Sequence, residues 1–112
     1  MSDKELEQLY ELDLGDYASG RIRFWHIRNG KRIIEYVIQV EVTVDGRTYT
    51  VRRYDCAHGQ PHCDIYDHRG NHRKVWTVGK SRKETWDDAV DEALTYGTQW
   101  ALQFLELLGQ EH

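Results

Sequence analysis

Residues 32–55 read RIIEYVIQVEVTVDGRTYTVRRYD, and the period of their apolar positions decides the fold. Ile34, Tyr36, Ile38, Val40, Val42 and Val44 recur at every second residue, with Glu35, Gln39 and Glu41 among the positions between. A two-residue period in a β-branched run describes a strand with one face buried. Asp45-Gly46 separates this run from a second alternating one, and Asp-Gly is a strong signal for a two-residue hairpin. That hairpin sets Val42 opposite Tyr49 and Val40 opposite Val51. The odd positions of the second strand then face the core, while Arg52, Tyr54, Cys56 and His58 face away.

Working outward, RIRFWHIR (21–28) precedes Asn29-Gly30, a second hairpin signal. HCDIYDH (62–68) and HRKVWTV (72–78) continue the meander across Gly59-Gln60-Pro61 and Arg69-Gly70-Asn71. The expected sheet is a five-stranded antiparallel meander over 20–78. At the N-terminus, Ser2-x-x-Glu5 followed by Leu6, Leu9 and Tyr10 resembles a capping box, which predicts a short helix within 1–14 ahead of Gly15.

After residue 80 the period changes to 3.6. Trp86, Val90, Ala93, Gly97, Trp100, Phe104 and Leu108 form one stripe, reinforced by Ala89, Leu94, Ala101 and Leu105. Ser81-x-x-Glu84 supplies a capping box, Asp87, Asp88 and Asp91 crowd the early turns, and Gly109 suits a stop. A helix over 82–108 reaches about 39 Å at 1.5 Å per residue and can cross the sheet. Its stripe is expected to pack on one sheet face, with part of it available to a homodimer. The fold class is α+β, and 112 residues make a single domain.

Charged residues make up 30% and apolar ones 39%, which is the composition of a globular chain. No apolar run approaches a membrane span, and the first residues lack the basic and apolar regions of a secretion leader. Two cysteines make no disulfide framework, so a reducing cytoplasm is the expected compartment. The net charge of −4 conceals an asymmetry: residues 47–83 hold nine Lys/Arg against three Asp/Glu. One locally basic segment suits a phosphate-bearing partner, while overall acidity argues against indiscriminate DNA binding.

That segment also contains four of the six histidines and both cysteines. Three-residue loops at 59–61 and 69–71 would pair His58 with His62, Cys56 with Asp64, Tyr54 with Tyr66 and Arg52 with His68. They would also pair His68 with His72, Tyr66 with Lys74 and Asp64 with Trp76. His58, His62, His68 and His72 would then share the face opposite the helix. Arg53 and Asp67 would meet on the other side near Asp55. A single bulge would invert part of this arrangement.

Three chemistries fit such a face. Cys56, His58, His62 and Cys63 have the residue types of a zinc site, but the expected register puts Cys63 on the other face, which also disfavours a Cys56–Cys63 disulfide. Without a metal or other cofactor, His58 and His62 would serve as acid and base on a phosphodiester, with Tyr54 as donor. Arg52, Arg53 and Lys74 would contact phosphate, and Tyr66, Trp76, His68 and His72 would complete a surface for single-stranded RNA. The third reading is a non-catalytic surface for a protein partner, because Tyr, Trp and Arg are also hot-spot residues.

The stretch YTVRRYDCAHGQPHCDIYDHRG (49–70) resembles the TumE-like group, small proteins assigned to the toxin side of type II toxin–antitoxin systems. It resembles still more closely a related group with the pattern R-Y-D-x-A-H-G-x-x-H-x-D, here Arg53, Tyr54, Asp55, Ala57, His58, Gly59, His62 and Asp64. The likeness covers roughly residues 33–80, with Gly59-Gln60 where the TumE-like pattern runs into a proline- and histidine-rich turn. It implies a toxin-like ribonuclease with a cognate antitoxin. It also weights Arg53, Tyr54, Asp55, His58, His62 and Asp64 as a unit, with Asp55 or Asp64 orienting a histidine.

Overall fold

The structure, a computed structural model, describes residues 4–15, 18–56 and 59–110. Among these, six strands are followed by one long helix: β1 (Leu6–Asp13), β2 (Gly20–Asn29), β3 (Arg32–Val44), β4 (Arg47–Asp55), β5 (His62–Tyr66), β6 (His72–Trp76) and α1 (Arg82–Gln110). The strands pair antiparallel in chain order, so β1 and β6 are the sheet's two edges.

The strongest local signals form as read. Val44 pairs with Arg47 across Asp45 and Gly46, whose φ angles of 51° and 78° provide the two positive values of the hairpin turn. The helix opens on its capping box, with the Glu84 amide donating to Ser81 Oγ and the Ser81 amide to Glu84 Oε1, each at 3.1 Å. Gly109 does not stop the helix, which continues to Gln110.

Three expectations are corrected. The N-terminal helix is instead a sixth strand: Leu6–Asp13 pairs along β2, with Leu9 opposite Trp25 and Glu11 opposite Arg23. Leu6, Tyr10 and Leu12 keep the strand's two-residue period, and Leu9 on the other face made the segment read as helical. Ser2 of the expected capping box lies outside the described residues.

The second correction is a bulge. Glu41 pairs with Thr50 but Val40 pairs with Arg52, leaving Val51 as the extra residue of β4. Beyond it the faces of β4 are exchanged. Arg52 and Tyr54 turn toward the helix, while Arg53 and Asp55 turn to the opposite, open face, beside Gln39 and Val37.

The third correction is the loop lengths and the register they set. Between β4 and β5 the chain takes residues 56–61, and Asp55 pairs with His62 and Arg53 with Asp64. Between β5 and β6 it takes Asp67–Asn71, because the Asp67 carboxylate accepts the amides of Arg69 and Asn71, both at 2.9 Å. Tyr66 therefore meets His72, Asp64 meets Lys74 and His62 meets Trp76.

Ile22, Phe24, Tyr36, Ile38, Val40 and Val42 form the buried sheet face under Ala89, Ala93, Ala101, Phe104 and Leu108. The helix packs chiefly on β2, β3 and β4, and small residues in its stripe let it approach closely. A Cβ on Gly97 would stand 2.7 Å from Ile22 Cδ1. Leu94, expected in the stripe, is exposed. The Tyr36 hydroxyl donates to Thr85 Oγ1 at 2.9 Å, and burial pushes its phenol up to about 12. No described helix is long and apolar enough to cross a membrane.

Two consequences are measurable. A Cβ on Gly20 would lie 2.3 Å from the backbone oxygen of Glu41, too near to be relieved by a rotamer change. Gly20→Ala is expected to cost roughly 1–3 kcal/mol, as overpacking does, seen as an earlier midpoint in chemical denaturation. An unchanged midpoint would mean that β2 and β3 are not this close.

His26 is 3% exposed beneath Trp86, and neither ring nitrogen has a hydrogen-bond partner among the described residues. Desolvation, aided by Arg28, holds its pKa below the ordinary 6.5. The folded state therefore prefers neutral imidazole. Stability should be fully present above the ordinary value and be lost as pH falls below it toward the depressed folded value. Denaturation midpoints across that window should slope for the native protein and flatten for His26→Phe. Equal slopes would remove His26 as the cause.

Candidate functional site

The bulge and the registers assemble a polar surface on the open face of β4, β5 and β6. Alternation along β5 places His62, Asp64 and Tyr66 there, and alternation along β6 adds His72, Lys74 and Trp76. These six share a face as expected, although with different partners, because the β4–β5 register reverses the inversion made by the bulge. Arg53 and Asp55 join them from β4.

Asp64 is the centre of the group. It is 7% exposed, with its Oδ2 3.6 Å from His62 Nε2 and its Oδ1 4.0 Å from His72 Nε2. Oδ1 is buried and has no hydrogen-bond partner among the described residues. A buried carboxylate oxygen lacking a donor is costly, so the position of the two imidazoles around it is the main compensation in view. The His62 ring lies 5.1 Å from that of Trp76, its Nδ1 is 3.3 Å from the Gln60 carbonyl, and only 10% of its side chain is exposed. His72 is far more open and stacks on Tyr66 at 4.8 Å. Lys74 Nζ sits 5.3 Å from the centre of the exposed Trp76 ring.

A hydrogen-bonded ladder continues across the same face. Arg53 donates to Asp55 Oδ2 at 3.2 Å and to Gln39 Oε1 at 3.0 Å, and Gln39 donates to Glu41 Oε2 at 2.6 Å. Glu41, buried despite its charge, also accepts from Arg21, which in turn reaches Glu11. Sequence reasoning missed Gln39, Glu41 and Arg21 as a network, although the polar odd positions of β3 had marked this face. Next to the ladder, Leu9, Trp25 and Val37 line a hollow of about 370 Å³.

Other expected site residues lie elsewhere. Arg52 stacks its guanidinium 3.6 Å from the Trp100 ring, on the helix side. Tyr54 is buried there and donates to Glu92 Oε1 at 2.9 Å. Burial, and then the neighbouring Cys63 and Glu92, raise its phenol far above the ordinary range. His68 falls in the β5–β6 turn, and Asp67, expected to meet Arg53, caps that turn instead. His58 lies outside the described residues.

The zinc arrangement is not assembled by the residues described. Cys56 faces the core, its Sγ accepting the Tyr36 amide at 3.2 Å, while His62 is on the opposite face. Among the described residues no three His, Cys, Asp or Glu side chains are placed to hold a metal ion. The cysteines are free, and both stand on the helix side rather than on opposed faces. Burial raises both thiols, Cys63 to about 11. Thiolate is the reactive form, so alkylation of the native protein should be slow at neutral pH and accelerate toward pH 11 at Cys63. Peptide-resolved mass spectrometry would report this, and rapid labelling of Cys63 at neutral pH would contradict its burial.

The family model for a domain of unknown function, DUF7718, matches residues 1–110, and the chain belongs to that family. No curated protein and no solved structure matches it.

Proposed function

We propose that this DUF7718 chain acts on single-stranded RNA through the His62–Asp64–His72 cluster, cleaving the phosphodiester by acid–base chemistry. The observation that carries the reading is the nine-tenths buried Asp64 carboxylate held between two imidazoles, with one oxygen otherwise unmatched. A carboxylate so placed orients a histidine for proton transfer.

In this scheme one imidazole accepts the 2′-hydroxyl proton as that oxygen attacks phosphorus. The other donates a proton to the departing 5′-oxygen, and a 2′,3′-cyclic phosphate remains. Lys74 and Arg53 stand where they can offset charge on the phosphoryl oxygens. Trp76 and the Tyr66–His72 stack offer faces to unpaired bases. His72 takes the part first expected of His58, while Tyr54 and Arg52 become supports beneath the sheet. The resemblance around Arg53–Asp64 points the same way and would bring a cognate antitoxin as partner.

One observation favours a second reading, a surface that binds RNA or a protein without cleaving. His62 is largely covered by Trp76, whereas Trp76 is itself 54% exposed beside Lys74.

Cleavage of mixed single-stranded RNA separates the two. The native protein should cleave with or without chelator, and His62→Ala and His72→Ala should each lose on the order of 10²–10⁴-fold. Circular dichroism would verify that the variants fold. Binding that weakens steeply with salt but proceeds without cleavage, and that is lost in Trp76→Ala and Lys74→Ala, would select the second reading. Neither binding nor cleavage would remove RNA from consideration.

A further inference from the structure

The two edges of the sheet differ in charge. β1 carries Glu7, Glu11 and Asp13 and no basic residue, whereas β6 carries His72, Arg73 and Lys74 and no acidic one. Both strands are exposed almost throughout, and each has a row of outward backbone N–H and C=O groups that the sheet does not pair. Exposed edges of this kind are templates for another strand, and charge is one way a fold controls which strand can add.

We infer that the chain associates head to tail with further copies of itself, the β1 edge of one copy adding to the β6 edge of the next. Topology permits this. Six strands alternate in direction, so β6 runs opposite to β1, and a copy shifted along the sheet presents its β1 antiparallel to β6 with both helices on the same side.

The faces also correspond. On the helix side, exposed Leu6, Tyr10 and Leu12 of one copy would adjoin exposed Val75 of the next. On the open side, Glu7 and Glu11 would meet His72 and Lys74, with Leu9 near Trp76. The carboxylates have local partners, Glu7 the Trp25 indole and Glu11 the two arginines of β2. Those contacts are at the surface, and a carboxylate has further acceptor sites.

Pairing like edges is opposed: two β1 strands would set carboxylate against carboxylate, and two β6 strands cation against cation. A symmetric dimer through either edge is thus disfavoured, while the heterologous contact is favoured. Such a contact does not close on two subunits and grows into a ring or a filament. The contact draws on His72, Lys74 and Trp76, which the proposed function also uses, so association and RNA would compete for the β6 edge.

Sedimentation velocity of the full chain against concentration, at low and high salt, tests the inference. The native protein should show a mass that rises with concentration at low salt, where the Debye length is about 30 Å at 0.01 M, and falls toward the monomer at 1 M. Arg73→Glu/Lys74→Glu and Glu7→Lys should each sediment as smaller species, and mixing the two should restore association by matching the exchanged charges. Circular dichroism and thermal melts confirm that each variant is folded. A native protein that stays monomeric at every concentration overturns the proposal, and then the edges would be left for a strand of another protein. Association that ignores salt, or that persists in Arg73→Glu/Lys74→Glu, also overturns it.

Discussion

Val51 is the residue on which the arrangement of the open face turns. As the extra residue opposite the Val40–Glu41 step, it is buried against the core while its neighbour Arg52 also points to the helix side. Without it, Arg53 and Asp55 would lie under α1, where a guanidinium and a carboxylate would lose most of their water at several kcal/mol per ion. With it, Tyr54 enters the core and gains a carboxylate acceptor on the helix, and Arg53 and Asp55 take places in the ladder that leads to Glu41. One inserted residue thus sorts the polar from the apolar side of β4 along its second half, and increases local strand twist.

The helix sets the other limit. It covers β2, β3 and β4, and the strands outside that strip depend on their neighbours and on polar contacts. β5 and β6 are joined by a turn whose geometry rests on one carboxylate, Asp67, and β6 has no buried residue. β1 is comparably exposed. Sheet edges held by few buried apolar contacts are where local opening is least costly. The residues proposed for chemistry sit at the boundary between the covered strip and one such edge. Asp64 and Asp55 are buried on the inner strands, while His72, Lys74 and Trp76 are presented on the outermost one.

Much of this architecture was legible because its signals are local. Asp45-Gly46 can hardly be anything but a tight turn between alternating runs, and Ser81 and Glu84 specify a helix start by bonds that span three residues. The stripe Ala93, Gly97, Phe104 and Leu108 needs a sheet to cover it, and β3 supplies one. What resisted reading depends on counting across chain segments. Val51 looks like any other alternating valine, and nothing near it in sequence marks it as the extra residue. The Asp67 turn is longer than its Arg69-Gly70-Asn71 signal because the turn begins at the carboxylate that caps it. β1 is an edge strand with little burial on either face, so its period is weak. The inversion at Val51 and the shifted β4–β5 register compensate each other. For that reason the faces of His62, Asp64, Tyr66, His72, Lys74 and Trp76 were read correctly, while those of Arg52, Arg53, Tyr54 and Asp55 were not.

The cost of Asp64 bears on which role the open face plays. Asp55, which pairs with His62 on the adjacent strand, accepts from Arg53 and is an ordinary buried carboxylate with a cation at hand. Asp64 faces imidazoles at 3.6 and 4.0 Å, beyond a well-formed hydrogen bond, and its Oδ1 accepts none among the described residues. A position selected only for stability on a half-covered sheet would be better filled by threonine or valine, which favour strands and bring no charge to desolvate. Groups held at such cost are concentrated where a reaction or a ligand uses them. Stability alone gives no reason for two histidines to share that carboxylate, whereas orienting an imidazole does. That asymmetry between Asp55 and Asp64, which differ in what surrounds them, favours His62, Asp64 and His72 as the seat of the proposed chemistry rather than the ladder that ends at Asp55.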